Sequence, residues 1–363
     1  MSVGGQPLAD AVEHRSRRAL GAAGGHLRTR ALKLLAYLLL AYLVLKLIPS
    51  LKDALSSLEH VSWTWLVGAA LIETLSEMGF VVSWRAIVDP DDVLGGEGRS
   101  RRIDVRAAWT QLGGGMLLPG GALGGVGVGA WILRHFGMPA KLIAERQFNL
   151  SFLNTAVDGL ALVFFGTGLA IGVFAGEGNL LLTLLPAALA AAALVGARLV
   201  AHGASSYAAR LQPKHPRVAG AITALAAAVA DTERNLFHRG DWTSAIGAVA
   251  YLGFDTLVLY SAFFAIHAHP VPGYPIVIMA YIVGALGGSI PGLPAGVGSV
   301  GGMAGMLILY GVGHDAAIAA VVLYEAVGLL VPLVGGGIAY VLLRRQFGPM
   351  PAGAADQSAS APT

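Results

Sequence analysis

Five carboxylic acids lie within long apolar runs of the sequence, where an ionised side chain is costly unless it is paired or hydrated. Glu73 and Glu77 are about one helical turn apart and would share a helix face, and Asp255 lies in the middle of a later run. Asp158 and Glu325 each lie in the run that follows a proline-glycine break. Each acid could carry a proton, or could accept a structural hydrogen bond from a neighbouring helix. Because buried bases are few, we expect at least one hydrated or proton-carrying site.

Proline-glycine breaks interrupt two other apolar runs, which read LLPGGALGGVGVGAWILR over 117–134 and SIPGLPAGVGSVGGMAGMLIL over 289–309. Proline removes a backbone donor, and glycine lets the chain reverse. The helix that starts after such a break offers free amides and partial positive charge to a phosphate. Matching breaks in two halves of a membrane protein predict a substrate site. The candidate binding residues are Pro119, Gly120, Gly121, Gly124, Gly125, Arg134, Pro291, Gly292, Gly296 and Gly298.

These residues also have simpler interpretations. The glycines form small-xxx-small pairs that would serve close helix packing. The GVGSVG segment, 296–301, has the letters of a dinucleotide fingerprint but lacks the strand and the acidic residue that the fingerprint requires. Arg134, Lys141 and Arg146 could hold an anionic headgroup, or could only fix the orientation of the protein in the membrane.

The composition predicts an all-α, polytopic membrane protein. Of 363 residues, 55% are hydrophobic and 12% are charged, and the mean hydropathy is +0.67. The net charge is +3, but the basic residues lie at the ends of apolar runs, so we expect no nucleic-acid partner. Without cysteine there is no disulfide or thiolate metal site. The motifs of ATP-binding loops, zinc proteases and serine hydrolases are missing, and we expect neither an enzyme nor a cofactor.

Six runs are long enough to cross about 30 Å of hydrocarbon at about 1.5 Å per residue. Two shorter, broken segments, 107–136 and 275–311, are predicted to form re-entrant helical hairpins. Basic residues flank the first broken segment and are missing around the second, so the two should open to opposite faces of the cytoplasmic membrane. The six predicted spans are 31–49, 62–88, 148–174, 179–201, 242–267 and 316–343.

The chain divides into a basic cytoplasmic arm, 1–30, a transmembrane domain, 31–345, and a disordered tail, 346–363, with both termini in the cytoplasm. Within the domain, segments of about 62–175 and about 242–343 resemble each other. Ser-Trp-Thr at 62–64 recurs as Asp-Trp-Thr at 241–243, and the Pro-Gly breaks recur with similar glycine spacing. The predicted topology turns the second copy over, which makes an inverted repeat. The linker 202–241 should contain an amphipathic interfacial helix near 217–239.

The segments LLPGGALGG, WILRHFG, GGSIPGLPAGVGSVGG, LYGV and VVLYEAVGLLVPLVGG resemble the membrane domain of lysylphosphatidylglycerol synthases and related stand-alone flippase-like proteins. The resemblance covers about residues 30–345 and implies a domain that moves lipid, in the synthases an aminoacylated phosphatidylglycerol. We expect the soluble aminoacyl-transferase domain of the synthases to be missing, so the resemblance does not imply lipid synthesis. Members commonly carry arginine after the Leu-Tyr pair, where this chain has Glu325, and charged residues where it has Val126 to Ala130. Both departures bear on which lipid headgroup the protein would accept.

The resulting hypothesis is a lipid flippase or transporter of the cytoplasmic membrane, with facilitated or proton-coupled movement. Its partner would be a membrane lipid, an anionic or aminoacylated phospholipid, and a homo-oligomer is compatible with this hypothesis. The alternative is a membrane-embedded enzyme or accessory subunit that acts on a polyprenyl-linked lipid or glycolipid. An enzyme would need a catalytic acid at the headgroup plane, whereas the acids of this chain lie in mid-span.

Overall fold

The computed structural model describes residues 61–94, 102–117, 122–176, 179–238, 240–286 and 297–347. These ranges contain helices and short connections but no strand, which confirms the all-α class. The predicted first span 31–49 and the basic arm lie outside the described residues. The helices are α1 (Trp63–Val88), α2 (Arg102–Leu117), α3 (Ala122–His135), α4 (Ala140–Ala170), α5 (Leu180–Leu211), α6 (Pro216–Glu233), α7 (Thr243–Ala265), α8 (Tyr274–Ala285), α9 (Val297–Leu309) and α10 (His314–Phe347).

Within the described ranges five helices, α1, α4, α5, α7 and α10, are long and apolar enough to cross a membrane. They correspond to five of the six predicted spans and make this a multi-pass membrane protein. Three helices extend beyond the predicted ends: α4 begins at Ala140, α5 continues to Leu211, and α10 continues to Phe347. Hydropathy marks only the part of a helix that lipid can surround, so it misses the polar turns at either end.

The helices α1 and α7 run antiparallel and pack against each other along their length. Gly79 and Gly247 allow the close approach, since a Cβ atom on Gly79 would lie only 2.9 Å from the Gly247 carbonyl oxygen. The antiparallel order is what an inverted repeat of these two segments requires. Three hydrogen bonds set the register, from Ser62 N to Ala265 O (3.0 Å), from Ser76 Oγ to Tyr251 O (2.9 Å) and from Ser83 Oγ to Ser244 O (2.9 Å).

Each broken apolar segment contains two short helices that pack together, α2 with α3 and α8 with α9. The four helices have 12 to 16 residues, which is about 18 to 24 Å of helix and less than a full span. The break residues 118–121 and 287–296 lie outside the described ranges. The re-entrant course through the membrane therefore stays a prediction.

The last helix, α10, contacts both short-helix pairs. Its Gly336 lies against Gly113 of α2, where a Cβ atom on Gly113 would be 3.0 Å from the Gly336 Cα atom. Nearer its start, α10 packs against α9 and α7. Pro332 lies inside the helix at the contact with α2, where its carbonyl oxygen would be 2.9 Å from a Cβ atom on Gly113. One continuous element thus connects the first short-helix pair to the second.

The linker between the predicted halves is largely helical. An exposed turn, 212–215, joins α5 to α6, and a π-helical turn, Arg234–His238, follows α6. An ion pair between Arg198 Nε and Glu233 Oε1 (3.0 Å) ties α6 to α5. The predicted helix in this linker is present, and its position at the membrane surface stays a prediction. The predicted tail, 346–363, begins within α10, which ends at Phe347, and the rest of it lies outside the described residues.

Candidate functional site

The helices α1, α4, α7 and α10 bring the five predicted acids together. Asp255 interacts electrostatically with each of the other four, so one group of carboxyls forms in the interior. The α1–α7 register places Asp255 opposite Glu73. Only 4% of Glu73, 3% of Glu77 and 7% of Asp255 is exposed, which removes these three from bulk solvent. We call the group Glu73, Glu77, Asp158, Asp255 and Glu325 the acid cluster.

The acid cluster lies near the middle of the helices that form it. Glu73 and Glu77 are close to the midpoint of α1, and Asp255 is close to the midpoint of α7. Helix midpoints of spans that cross hydrocarbon lie farthest from both water layers. An ionised group at this depth needs a partner or water, and its presence marks a functional site by default.

Two tyrosine side chains lie beside the Asp255 carboxyl group. The Tyr281 hydroxyl of α8 donates a hydrogen bond to Asp255 Oδ2. Tyr324 of α10 lies beside these two residues and interacts electrostatically with both. The two rings meet edge to face, with centroids 5.8 Å apart. Asp255 is therefore held by a donor from α8, with a second phenol from α10 beside it.

The second broken segment touches the acid cluster directly. Ser299, in the first turn of α9, donates a hydrogen bond to Glu325 Oε1 of α10 at 2.8 Å. Ser299 follows Gly298, a predicted binding residue, which is buried. A helix that begins just after the Pro-Gly break thus contributes a donor to a carboxyl of the cluster.

Two acids of the cluster are incompletely satisfied. Glu73 Oε2 and Glu77 Oε2 are buried and have no hydrogen-bond partner. Across the described part of the chain, none of the five carboxyls forms an ion pair with a lysine, arginine or histidine. Buried charge without a partner is expensive, so this centre requires protons, water or a cationic ligand.

The remaining predicted binding residues lie in different surroundings, and most of them lie outside the described ranges. Gly125 packs against the backbone of α2, where a Cβ atom would be 2.6 Å from the Gln111 carbonyl oxygen, so close packing explains this glycine. Gly124 lies one residue earlier in the same helix and is partly buried. Arg134 lies exposed in the last turn of α3, about 15 Å along the helix from Gly124. The other predicted residues, Pro119, Gly120, Gly121, Pro291, Gly292 and Gly296, lie outside the described ranges.

The basic residues near the first broken segment make protein contacts. The Arg146 guanidinium binds Asp91 Oδ2 at 2.6 Å and the Val88 carbonyl oxygen at 3.0 Å. Lys141 lies 3.9 Å from Glu145 on the same exposed helix face. The contacts of Arg146 join α4 to the end of α1, so this residue has a structural role.

A second buried polar group joins three helices and contains no charge. Trp84 Nε1 of α1 donates to Gln111 Oε1 of α2 at 2.8 Å. The amides of Gln111 and Gln147, on α2 and α4, exchange hydrogen bonds of 3.0 and 2.9 Å. A Cβ atom on Gly129 would collide with the Gln111 side chain, so this glycine brings α3 against the network. We call Trp84, Gln111 and Gln147 the amide network.

Sequence reasoning missed the partners of the acids. Tyr281 and Tyr324 read as ordinary aromatic residues of apolar helices, and Ser299 as one small residue among glycines. The tyrosine hydroxyl groups could have indicated that these residues have polar partners, because a buried tyrosine hydroxyl usually has a hydrogen-bond partner. Among the described residues, no group of three or more His, Asp or Glu side chains could hold a metal ion.

The sequence model of one protein family, described as the lysylphosphatidylglycerol synthase TM region, matches residues 31–336. The match covers most of the chain, including every helix from α1 to α9 and the acid cluster. The chain belongs to this family. Membership suggests a function that involves membrane lipids. The search of curated proteins found no match.

Proposed function

We propose that the protein moves a phospholipid between the leaflets of the membrane, with the headgroup passing the acid cluster. The hydrogen bond from Ser299 to Glu325 carries this proposal, because it joins a helix that follows a Pro-Gly break to polar groups at mid-span. A lipid headgroup cannot cross hydrocarbon cheaply without polar partners. Broken helices and buried polar groups are how transporters provide such partners.

The repeat pattern supports the location. The two copies of the Trp-Thr motif differ by 179 positions, and Thr74 and Gly253 are separated by the same number. The α1–α7 register places these two residues opposite each other. An inverted repeat would therefore have its pseudo-two-fold axis beside Glu73 and Asp255. Binding at the midplane, where repeats meet, is typical of secondary transporters.

The charge of the cluster favours one class of headgroup. Among the described residues none of the five carboxyls forms an ion pair with a basic side chain, so a headgroup with an ammonium group would find compensating charge there. A purely anionic headgroup would be repelled by any ionised acid. We infer that an aminoacylated or amine-bearing phospholipid is the better substrate.

Reconstitution tests the function. The purified protein would be placed in vesicles of phosphatidylethanolamine and phosphatidylglycerol that carry a trace of fluorescent phosphatidylglycerol, phosphatidylethanolamine or lysyl-phosphatidylglycerol. A membrane-impermeant quencher then reports how much label reaches the outer leaflet. We expect faster exchange of the amine-bearing lipids than in protein-free vesicles, and loss of that exchange in Asp255→Asn.

Glu145→Gln is the matched control, because Glu145 is an exposed acid on α4 whose one ion pair within the described ranges is with Lys141. It should exchange lipid like the parent protein. Exchange at the protein-free rate for all three labelled lipids would contradict the proposed function.

A further inference from the structure

The acid cluster cannot hold five ionised carboxyls at mid-membrane without compensating charge. Like charges at this depth repel one another strongly, because the surroundings screen them weakly. The groups that face Glu73 and Glu77 from the packed helices are acids and phenols, and none is a described base. From α7 they are Asp255 and Tyr251, and from α10 Tyr324. Asp158 of α4 and Glu325 of α10 interact with Asp255 and so surround the pair at one remove.

Hydrogen-bond donors are distributed unequally among these acids. Asp255 has the Tyr281 hydroxyl, and Glu325 has the Ser299 hydroxyl. Glu73 and Glu77 each keep a buried oxygen without a partner. An unpaired buried carboxyl is far less costly when neutral than when ionised. The two glutamates are therefore the positions at which bound protons stabilise the cluster most.

The second short-helix pair, α8 and α9, is connected to Glu73 through contacts with α10. Gly328 lies one turn after Glu325 on α10, and a Cβ atom on Gly328 would be 3.7 Å from Glu73 Oε1. On the same helix, Glu325 accepts a hydrogen bond from Ser299 of α9. A shift of α9 that breaks this hydrogen bond would also change the α10 surface that faces Glu73.

We propose that Glu73 and Glu77 are the proton-exchange pair of the transport cycle. In each cycle a proton leaves a glutamate oxygen for water on one side of the membrane, and a proton from water on the other side replaces it. Movement of α9 against Glu325 switches the access. Lipid movement is thereby coupled to the proton gradient. This inference rests on the proposed function.

Coupling is measured in the same vesicles, with whichever labelled lipid exchanges. A difference of one pH unit across the membrane should shift the leaflet ratio of that lipid by about tenfold if one proton moves per lipid. A trapped pH-sensitive dye should show proton flux that depends on the presence of that lipid. Lipid exchange with no gradient response and no lipid-dependent flux would overturn the coupling and leave the proposed function standing.

Substitutions distinguish a proton-binding role of Glu73 and Glu77 from a structural role. Glu73→Gln and Glu77→Gln keep hydrogen-bonding capacity but cannot bind or release the proton, so the gradient-driven leaflet ratio should fall to one. Glu73→Asp and Glu77→Asp remain titratable and should keep a gradient response. Glu145→Gln, the exposed control, should respond like the parent protein. Equal loss in the aspartate and glutamine variants would show that these side chains act structurally and would overturn the assignment.

Discussion

The amides of Gln111 and Gln147 hold three helices together with neutral groups, whereas the acid cluster brings helices together with groups that can change charge. In the amide network every principal donor and acceptor at the junction is used. In the acid cluster two buried oxygens are not. Fully satisfied polar networks make a protein rigid, whereas a buried polar atom without a partner requires a separate explanation, such as a bound water, ion or ligand. At the residue scale the amide network therefore supports the packing of the helices, and the acid cluster is the group that we propose acts on the lipid.

Replacing Gln111 with leucine tests the supporting role. The substitution leaves the Trp84 indole N–H and the Gln147 amide buried without partners, which should destabilise the protein by about 1–3 kcal/mol. We expect a lower thermal melting temperature for purified Gln111→Leu in detergent. Gln346→Leu is the matched control, since Gln346 accepts a hydrogen bond from Arg106 on an exposed surface. Equal melting temperatures for the two variants would contradict the role of the amide network.

Among the helices, glycine sets how closely the backbones approach. Gly284 of α8 lies against the backbone of Gly302 and Met303 of α9, so no side chain fits between the two short helices. Gly301, one residue from Gly302, has nothing within 4 Å of the position that a Cβ atom would take. Close helix packing thus explains Gly302, whereas Gly301 makes no such contact.

This difference gives a paired test at the scale of elements. Gly284→Ala forces α8 and α9 apart and should cost about 1–3 kcal/mol, as overpacking of tight contacts does. Gly301→Ala should leave the melting temperature nearly unchanged because its methyl group enters open space. Both variants would be compared by thermal denaturation in detergent. A melting temperature for Gly284→Ala as high as that for Gly301→Ala would mean that the α8–α9 contact is looser than described.

Much of the element pattern follows from hydropathy alone. The spans of α1 and α7 agree with their predicted ends to within two residues, because lipid-facing apolar runs end where charge or proline begins. The predicted breaks fall between α2 and α3 and between α8 and α9. The partners of the acids could not be predicted, since Tyr281 meets Asp255 only after α8 packs against α7. Contacts between distant segments depend on tertiary packing, which periodicity does not encode.

The orientation of the whole molecule is open to direct measurement. The chain has no cysteine, so single cysteines can be introduced without removing native ones. Cysteines at His135 and Gly220 should react with an impermeant thiol reagent only from the cytoplasm, and a cysteine at His314 only from outside. These positions are exposed at the ends of α3 and α10 and on α6. Labelling of residues 135 and 314 from the same face would exclude the inverted repeat.

The turn 212–215 between α5 and α6 is a position at which the chain could be divided into two fragments. All four of its residues are exposed, and each side of a cut there would keep whole helices. Membrane helices that insert separately can still find each other by packing and hydrogen bonding within the bilayer. The antiparallel seam of α1 and α7 would then act as a built-in dimerisation interface between two separately synthesised fragments. In this sense the chain resembles a heterodimer whose subunits are joined by a tether.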